Sequence, residues 1–102
     1  MRIRWTLEAE KDILRVYDFY VENFSEKLAQ KVLRDIFSKV QKLEHSPGIG
    51  QEEELFKHIE QGHRYIISNH NKIIYKPENE IIYITHVFDT RQNPNKLKRS
   101  TG

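Results

Sequence analysis

Apolar residues along this chain recur with one period in its first half and another in its second. Ile13, Val16, Tyr17, Tyr20 and Phe24 are spaced three, one, three and four apart, which puts them on one stripe of a helix. Thr6 stands in front as an N-cap, and Glu8 and Glu10 in the first turn suit the positive end of the helix dipole. A second helix follows after Asn23-Phe24-Ser25, with Ser25 as its cap. Its broad apolar face comprises Ala29, Val32, Leu33, Ile36, Phe37, Val40 and Leu43. Running to about Glu44 it extends ~30 Å, enough to cross a small sheet. Ser46-Pro47-Gly48-Ile49-Gly50 stops it. Two helices joined by so short a loop form an antiparallel hairpin. Before them, Arg2–Thr6 reads as a short strand with Ile3 and Trp5 packed inward.

From residue 63 the period shortens to two. Three runs rich in Ile, Tyr and Val, at 63–68, 72–76 and 80–88, fit a pleated, half-buried surface. Asn69-His70-Asn71 and Pro77-Glu78-Asn79 separate them with residues that tolerate turn dihedrals. The pattern predicts a three-stranded antiparallel meander. In its last strand, strict alternation places Ile82, Ile84, His86 and Phe88 on one face and Ile81, Tyr83, Thr85 and Val87 on the other. Both faces are apolar enough for a central strand. Residues 51–62 show no clear period. Glu52-Glu53-Glu54 reads as a solvated acidic loop, Leu55, Phe56 and Ile59 as tucked under the sheet edge, and Gly62 as the turn into the meander. The expected architecture is α+β: a two-layer βααβββ sandwich with the helical hairpin on one face of a small antiparallel sheet.

A chain of 102 residues is expected to form one domain spanning 1–102. Its tail at 92–102 carries Pro94 and little to bury, and reads as loose. With no cysteine there is no disulfide, thiolate metal site or thiol nucleophile. The first residues lack the apolar segment of a signal peptide, and no window reaches the ~18 apolar residues of a membrane span, so a cytoplasmic protein is expected. The net charge of +2 hides an asymmetry: residues 1–54 hold nine Lys/Arg against eleven Asp/Glu, residues 55–102 eight against four. Four of the five histidines also fall in the second half. The basic half is the sheet and tail, a modest footprint for an anionic partner.

No Gly-rich phosphate loop, H-E-x-x-H or G-x-S-x-G is present. His58 and His63 lie five apart with no carboxylate at ligand spacing, and no metal or cofactor is expected. The candidate site residues are Arg64, which opens the first meander strand, His86, late in the last, and Arg91 just beyond. Gathered at one rim, two guanidinium groups and an imidazole would grip phosphates and supply a general acid or base. The structural alternative has the arginines paired with Asp89 or Glu80 and His86 as a hydrogen-bonded wall residue. Tyr65, Tyr75 and Tyr83 divide between packing and a ring free to stack on a base.

Taken in order, several pieces resemble the RelE/ParE superfamily of toxins from bacterial type II toxin–antitoxin modules, also known as plasmid stabilisation proteins. They are Trp5-Thr6 with Ala9, Asp12-Ile13 and Tyr17 to Tyr20, then the second helix with its Ser46-Pro47-Gly48-x-Gly50 stop. Next come Arg64-Tyr65-Ile66-Ile67, Lys72-Ile73-Ile74-Tyr75, and Ile82-Tyr83-Ile84 leading to His86-Val87-Phe88 and Arg91. The resemblance spans nearly the whole chain and is nearer to the ParE-type branch. It implies a βααβββ fold with the last strand central, and a cognate antitoxin whose C-terminal segment wraps sheet and helices. It also implies one of two activities. ParE-type members poison DNA gyrase; RelE-type members cut ribosome-bound mRNA without a metal. Arg64, His86 and Arg91 match the shared basic positions and would be catalytic only in a nuclease. The lysine-rich patch of the strongest RNA cutters is thin here, no Tyr follows Arg91, and Glu52, Glu53 and Glu54 match the nuclease carboxylate only loosely. The expectation is therefore a gyrase-poisoning toxin, with an mRNA endonuclease as the alternative and an inactive, toxin-derived binding domain as the third.

Overall fold

A computed structural model gives the fold and describes residues 1–52 and 62–91. Strand β1 (Arg2–Trp5) leads into helix α1 (Leu7–Asn23) and helix α2 (Glu26–Gln41), which tightens into a 3-10 turn at Lys42–Glu44. Strands β2 (Gln51–Glu52), β3 (Arg64–Ser68), β4 (Asn71–Glu78) and β5 (Ile81–Asp89) complete the order. They form one sheet, β1-β5-β4-β3-β2, in which β1 runs parallel to β5 and all other neighbours are antiparallel. The two-layer α+β arrangement expected from the sequence is the one observed.

Both helices start where their caps predict. The Thr6 hydroxyl accepts from Ala9 N at 3.2 Å and the Ser25 hydroxyl from Leu28 N at 3.0 Å. Each cap satisfies one of the donors a helix N-terminus leaves orphaned, worth about 1 kcal/mol. Between the hairpin and the sheet lies the core: Ala9, Val16, Tyr20, Ala29, Ile36 and Leu43 from the helices meet Ile73, Tyr75, Ile82, Ile84 and Val87 from the strands. Fully burying an Ile side chain contributes about 1.5–3 kcal/mol, and Ile36, Ile73, Ile82 and Ile84 are all completely covered.

Several expectations are corrected. Phe24 and Phe37 leave their predicted core stripes and are largely exposed, Phe37 meeting Trp5 edge-on at 5.4 Å. Glu52, read as the start of a solvated acidic loop, instead joins Gln51 in a short strand paired with β3. Glu53, Glu54, Leu55, Phe56, His58 and Ile59, and the tail from residue 92, lie outside the described residues. The second hairpin turns at Asn79-Glu80 and not at Pro77-Glu78-Asn79, since Pro77 pairs with Ile82 inside β4. Proline is tolerated there because β4 has run past the start of β3 and is a sheet edge on that side.

The last correction concerns the faces of β5. Ile74 pairs with His86 but Tyr75 with Ile84, so Thr85 is an extra residue in a bulge. Alternation restarts after it. Val87 joins Ile82 and Ile84 over the helices, while Phe88 packs on Ile74 on the opposite face. His86, paired with Ile74, shares that opposite face.

Two positions give stability predictions of opposite sign. A Cβ on Gly50 would sit 2.5 Å from the Tyr75 hydroxyl and 2.7 Å from the Tyr65 carbonyl oxygen. Overpacking of this kind costs about 1–3 kcal/mol, and Gly50→Ala is expected to lose that much in urea denaturation. Asn79 and Glu80 both have positive φ, 50° and 64°, as a two-residue type I′ turn demands. Glu80→Gly relieves the penalty of a side chain in that region and is expected to gain about 0.5–1 kcal/mol in the same assay.

Candidate functional site

The three candidate residues occupy three different environments. Arg64 faces the loop that follows the helices. Its Nε donates to the Gly50 carbonyl at 2.9 Å and its Nη2 to that of Gly48 at 3.1 Å. Tyr75, opposite Arg64 in the ladder, works on the same loop: its hydroxyl donates to the Pro47 carbonyl at 2.8 Å and accepts from Gly50 N at 2.9 Å. Together they hold the chain between α2 and β2 against the sheet. The Arg64 guanidinium is thus satisfying backbone carbonyls, a structural task that the expected pairings with Asp89 or Glu80 did not include.

Arg91 does pair with Asp89. Its Nε and Nη2 donate to the two carboxylate oxygens at 2.9 and 2.6 Å, and its backbone N–H donates to Oδ1 at 2.8 Å. Nη2 also reaches the Tyr20 hydroxyl at 3.3 Å, which itself donates to Asp89 Oδ2 at 3.4 Å. The hydrogen bond from Arg91 holds the Asp89 carboxyl below its ordinary pKa, against the opposing effect of burial. Burial first, and then the Asp89 charge, pushes the Tyr20 phenol up. Such a bidentate fork fixes geometry as well as charge.

His86 lies on the face turned away from the helices and is almost fully buried. Arg64, in contrast, sits level with Ile84, seven residues before Arg91 along the parallel direction of β5. At ~3.3 Å per residue that separation is about 20 Å. The structure does not bring the three together at one rim: the sheet lies between His86 and the arginines, and most of its length lies between the arginines themselves. The described residues contain no group of three His, Asp or Glu that could hold a metal ion.

One functional-looking residue escaped the sequence reading. Asp12 is buried on the inner stripe of α1 and accepts from Val87 N at 2.9 Å and from Arg15 Nη1 at 2.7 Å. Its pKa is raised, chiefly by burial and further by the Glu8 charge, against the lowering effect of the Val87 N–H and of Arg15. The signal was available: Ala9, Asp12, Ile13, Val16 and Tyr20 follow the helical period, so a carboxylate stands at a core position.

The family described as the ParE toxin of the type II toxin–antitoxin system parDE matches residues 3–94. The chain belongs to the ParE toxin family. Among curated proteins none matches it. Of solved structures, the chromosomal ParDE toxin–antitoxin system from P. aeruginosa is similar in fold, with a TM-score of 0.73 and 22% identity over 87% of this chain and 95% of that one. Membership implies an antitoxin partner for this ParE toxin. No helix among its described residues is long and apolar enough to cross a membrane.

The Arg91 clamp gives a pH prediction. Asp89 has its folded-state pKa depressed, so its contribution to stability is present above the ordinary value of about 3.9 and is lost as pH falls through the folded one. Asp12, with its pKa raised, works in the opposite sense, its contribution fading as pH rises through the folded value. Denaturation of Asp89→Asn and the parent between pH 2 and 6 is expected to show a stability gap that narrows below about pH 4. A gap that stayed constant or widened in acid would refute the assignment.

Proposed function

We propose that this ParE toxin arrests growth by binding and poisoning DNA gyrase in the cytoplasm, as a protein ligand and not as a nuclease, and that its antitoxin neutralises it. The observation that carries this reading is the commitment of the basic residues. Arg64 is bonded to two backbone carbonyls, Arg91 is clamped to Asp89, and His86 faces the other side of the sheet. In-line RNA cleavage needs an acid and a base acting on one phosphate, and these three side chains offer no such convergence.

The helical side supports a protein-binding role. Leu7, Leu14 and Val21 project from α1 with 67, 64 and 38% of their surface exposed. Residues seven apart lie nearly in line on a helix, so the three form an apolar stripe that suits a protein partner.

Induced expression without antitoxin tests the reading, with DNA supercoiling, DNA breakage and translation followed separately over the first minutes. Early DNA damage with translation intact is expected, and His86→Ala is expected to leave growth inhibition largely unchanged. Early translation arrest with new 5′ ends on messages, abolished by His86→Ala and persisting in cells with resistant gyrase, would overturn it in favour of mRNA cleavage. Harmless expression would favour the inactive binding domain.

A further inference from the structure

Strand β1 closes one side of the sheet and pairs only with β5. The Arg2 N–H donates to the Glu80 carbonyl at 3.2 Å and the Thr6 N–H to that of Ile84 at 3.1 Å, so the even-numbered residues turn their backbone groups towards β5. Alternation points those of Ile3 and Trp5 the other way. The N–H and carbonyl of both residues therefore line an edge that no described residue pairs.

The side chains along this edge are sorted by face. Arg2 and Arg4 stand exposed on the side turned away from the helices, and neither makes an ion pair among the described residues. Ile3 and Trp5 pack against the core on the other side. There Phe37 meets Trp5 edge-on at 5.4 Å and leaves 46% of its surface exposed. The edge thus combines free backbone groups with two unpaired cations on one side and a half-covered ring on the other.

We propose that β1 takes an extended acidic segment of a partner protein as an added antiparallel strand. In that register Ile3 and Trp5 each exchange both backbone bonds with one partner residue. Residues directly opposite share a face, so apolar side chains of the partner fall beside Ile3, Trp5 and the Phe37 ring, and the alternate, acidic ones beside Arg2 and Arg4. Main-chain bonds supply affinity and the alternating side chains supply selectivity. A second copy of this chain fits badly. Self-pairing through the same four groups sets the two copies of Arg4 directly opposite, and like charges so placed are destabilising. Binding here requires neither gyrase nor RNA, so it fails separately from the proposed activity.

Trp5 is the single tryptophan of the chain and lies on this strand, so its fluorescence reports occupancy of the edge. The probe is a capped Glu-Val-Glu-Val-Glu peptide titrated into the purified protein, with calorimetry as a second readout. A saturable shift of Trp5 emission is expected, with affinity falling from about 50 to about 200 mM salt as the charges are screened. The Arg2→Ala/Arg4→Ala variant, its fold checked by circular dichroism, is expected to bind roughly three- to tenfold more weakly. A Lys-Val-Lys-Val-Lys peptide is expected not to bind. Nor is the acidic peptide with both valines N-methylated, since it has lost its donors to the edge. Absence of a saturable shift or heat, equal binding of the lysine or N-methylated peptide, or indifference to the arginines in folded protein would overturn the proposal. Loss of binding in Leu14→Glu with Arg2 and Arg4 intact would give the peptide to α1, and would overturn it too.

Discussion

Strand β5 has to satisfy two different neighbours along one of its edges, and the rest of the structure depends on how it does so. As far as Ile84 that edge is paired with β1, in parallel register. Beyond it β1 has ended, and the chain has turned at Thr6 into α1. The exposed backbone groups of β5 are then taken over by the start of that helix. Thr6 donates to the Ile84 carbonyl through both its N–H and its hydroxyl, at 3.1 and 3.0 Å, and Asp12 accepts the Val87 N–H. That bond satisfies a buried backbone N–H that would otherwise lose its partner where β1 ends. The Thr85 bulge lies at this changeover, and by restoring Val87 to the inner face it lets the core continue past the end of β1.

The same economy explains why the conspicuous basic residues are poor candidates for catalysis. A loop of Pro and Gly leaves α2 and must be fixed to the sheet although it has few side chains to offer. Its backbone carbonyls are what remain, and Arg64 and Tyr75 supply donors for them. At the opposite end of the sheet, Asp89 is buried beside Tyr20 and needs a counter-charge, which Arg91 provides from the following turn. Arginine is suited to both tasks by its rigid array of donors. The residues that resemble a phosphate-gripping set are thereby occupied in holding the two ends of the fold.

What remains for recognition is divided between two surfaces of different chemistry. One is the outer side of α1, apolar and suited to a protein. The other is the β1 rim of the outer sheet face, where Arg2 and Arg4 are exposed, while the middle of that face, at Ile74 and His86, is buried. Under the proposed function, neutralisation by an antitoxin and engagement of a target need not employ the same surface.

The sequence by itself determined the elements and their layering. The helical period, the Thr6 and Ser25 caps, the stop at Pro47-Gly48 and the β-branched runs of the meander each act over a few residues, so their signals are local and legible. Tertiary structure decided everything that depends on register. Strict alternation put His86 and Phe88 beside Ile84, and one extra residue at Thr85 moved both to the opposite face, because a one-residue slip inverts every side chain that follows. Nothing local marks that slip; it follows from the demand that Val87 and Asp89 meet α1. The partners of Arg64 were equally out of sight, since backbone carbonyls carry no sequence signature. Asp89 as the partner of Arg91 was legible, being two residues away. Whether charged residues on separate strands converge is a question about register and faces, and here only the folded sheet answers it.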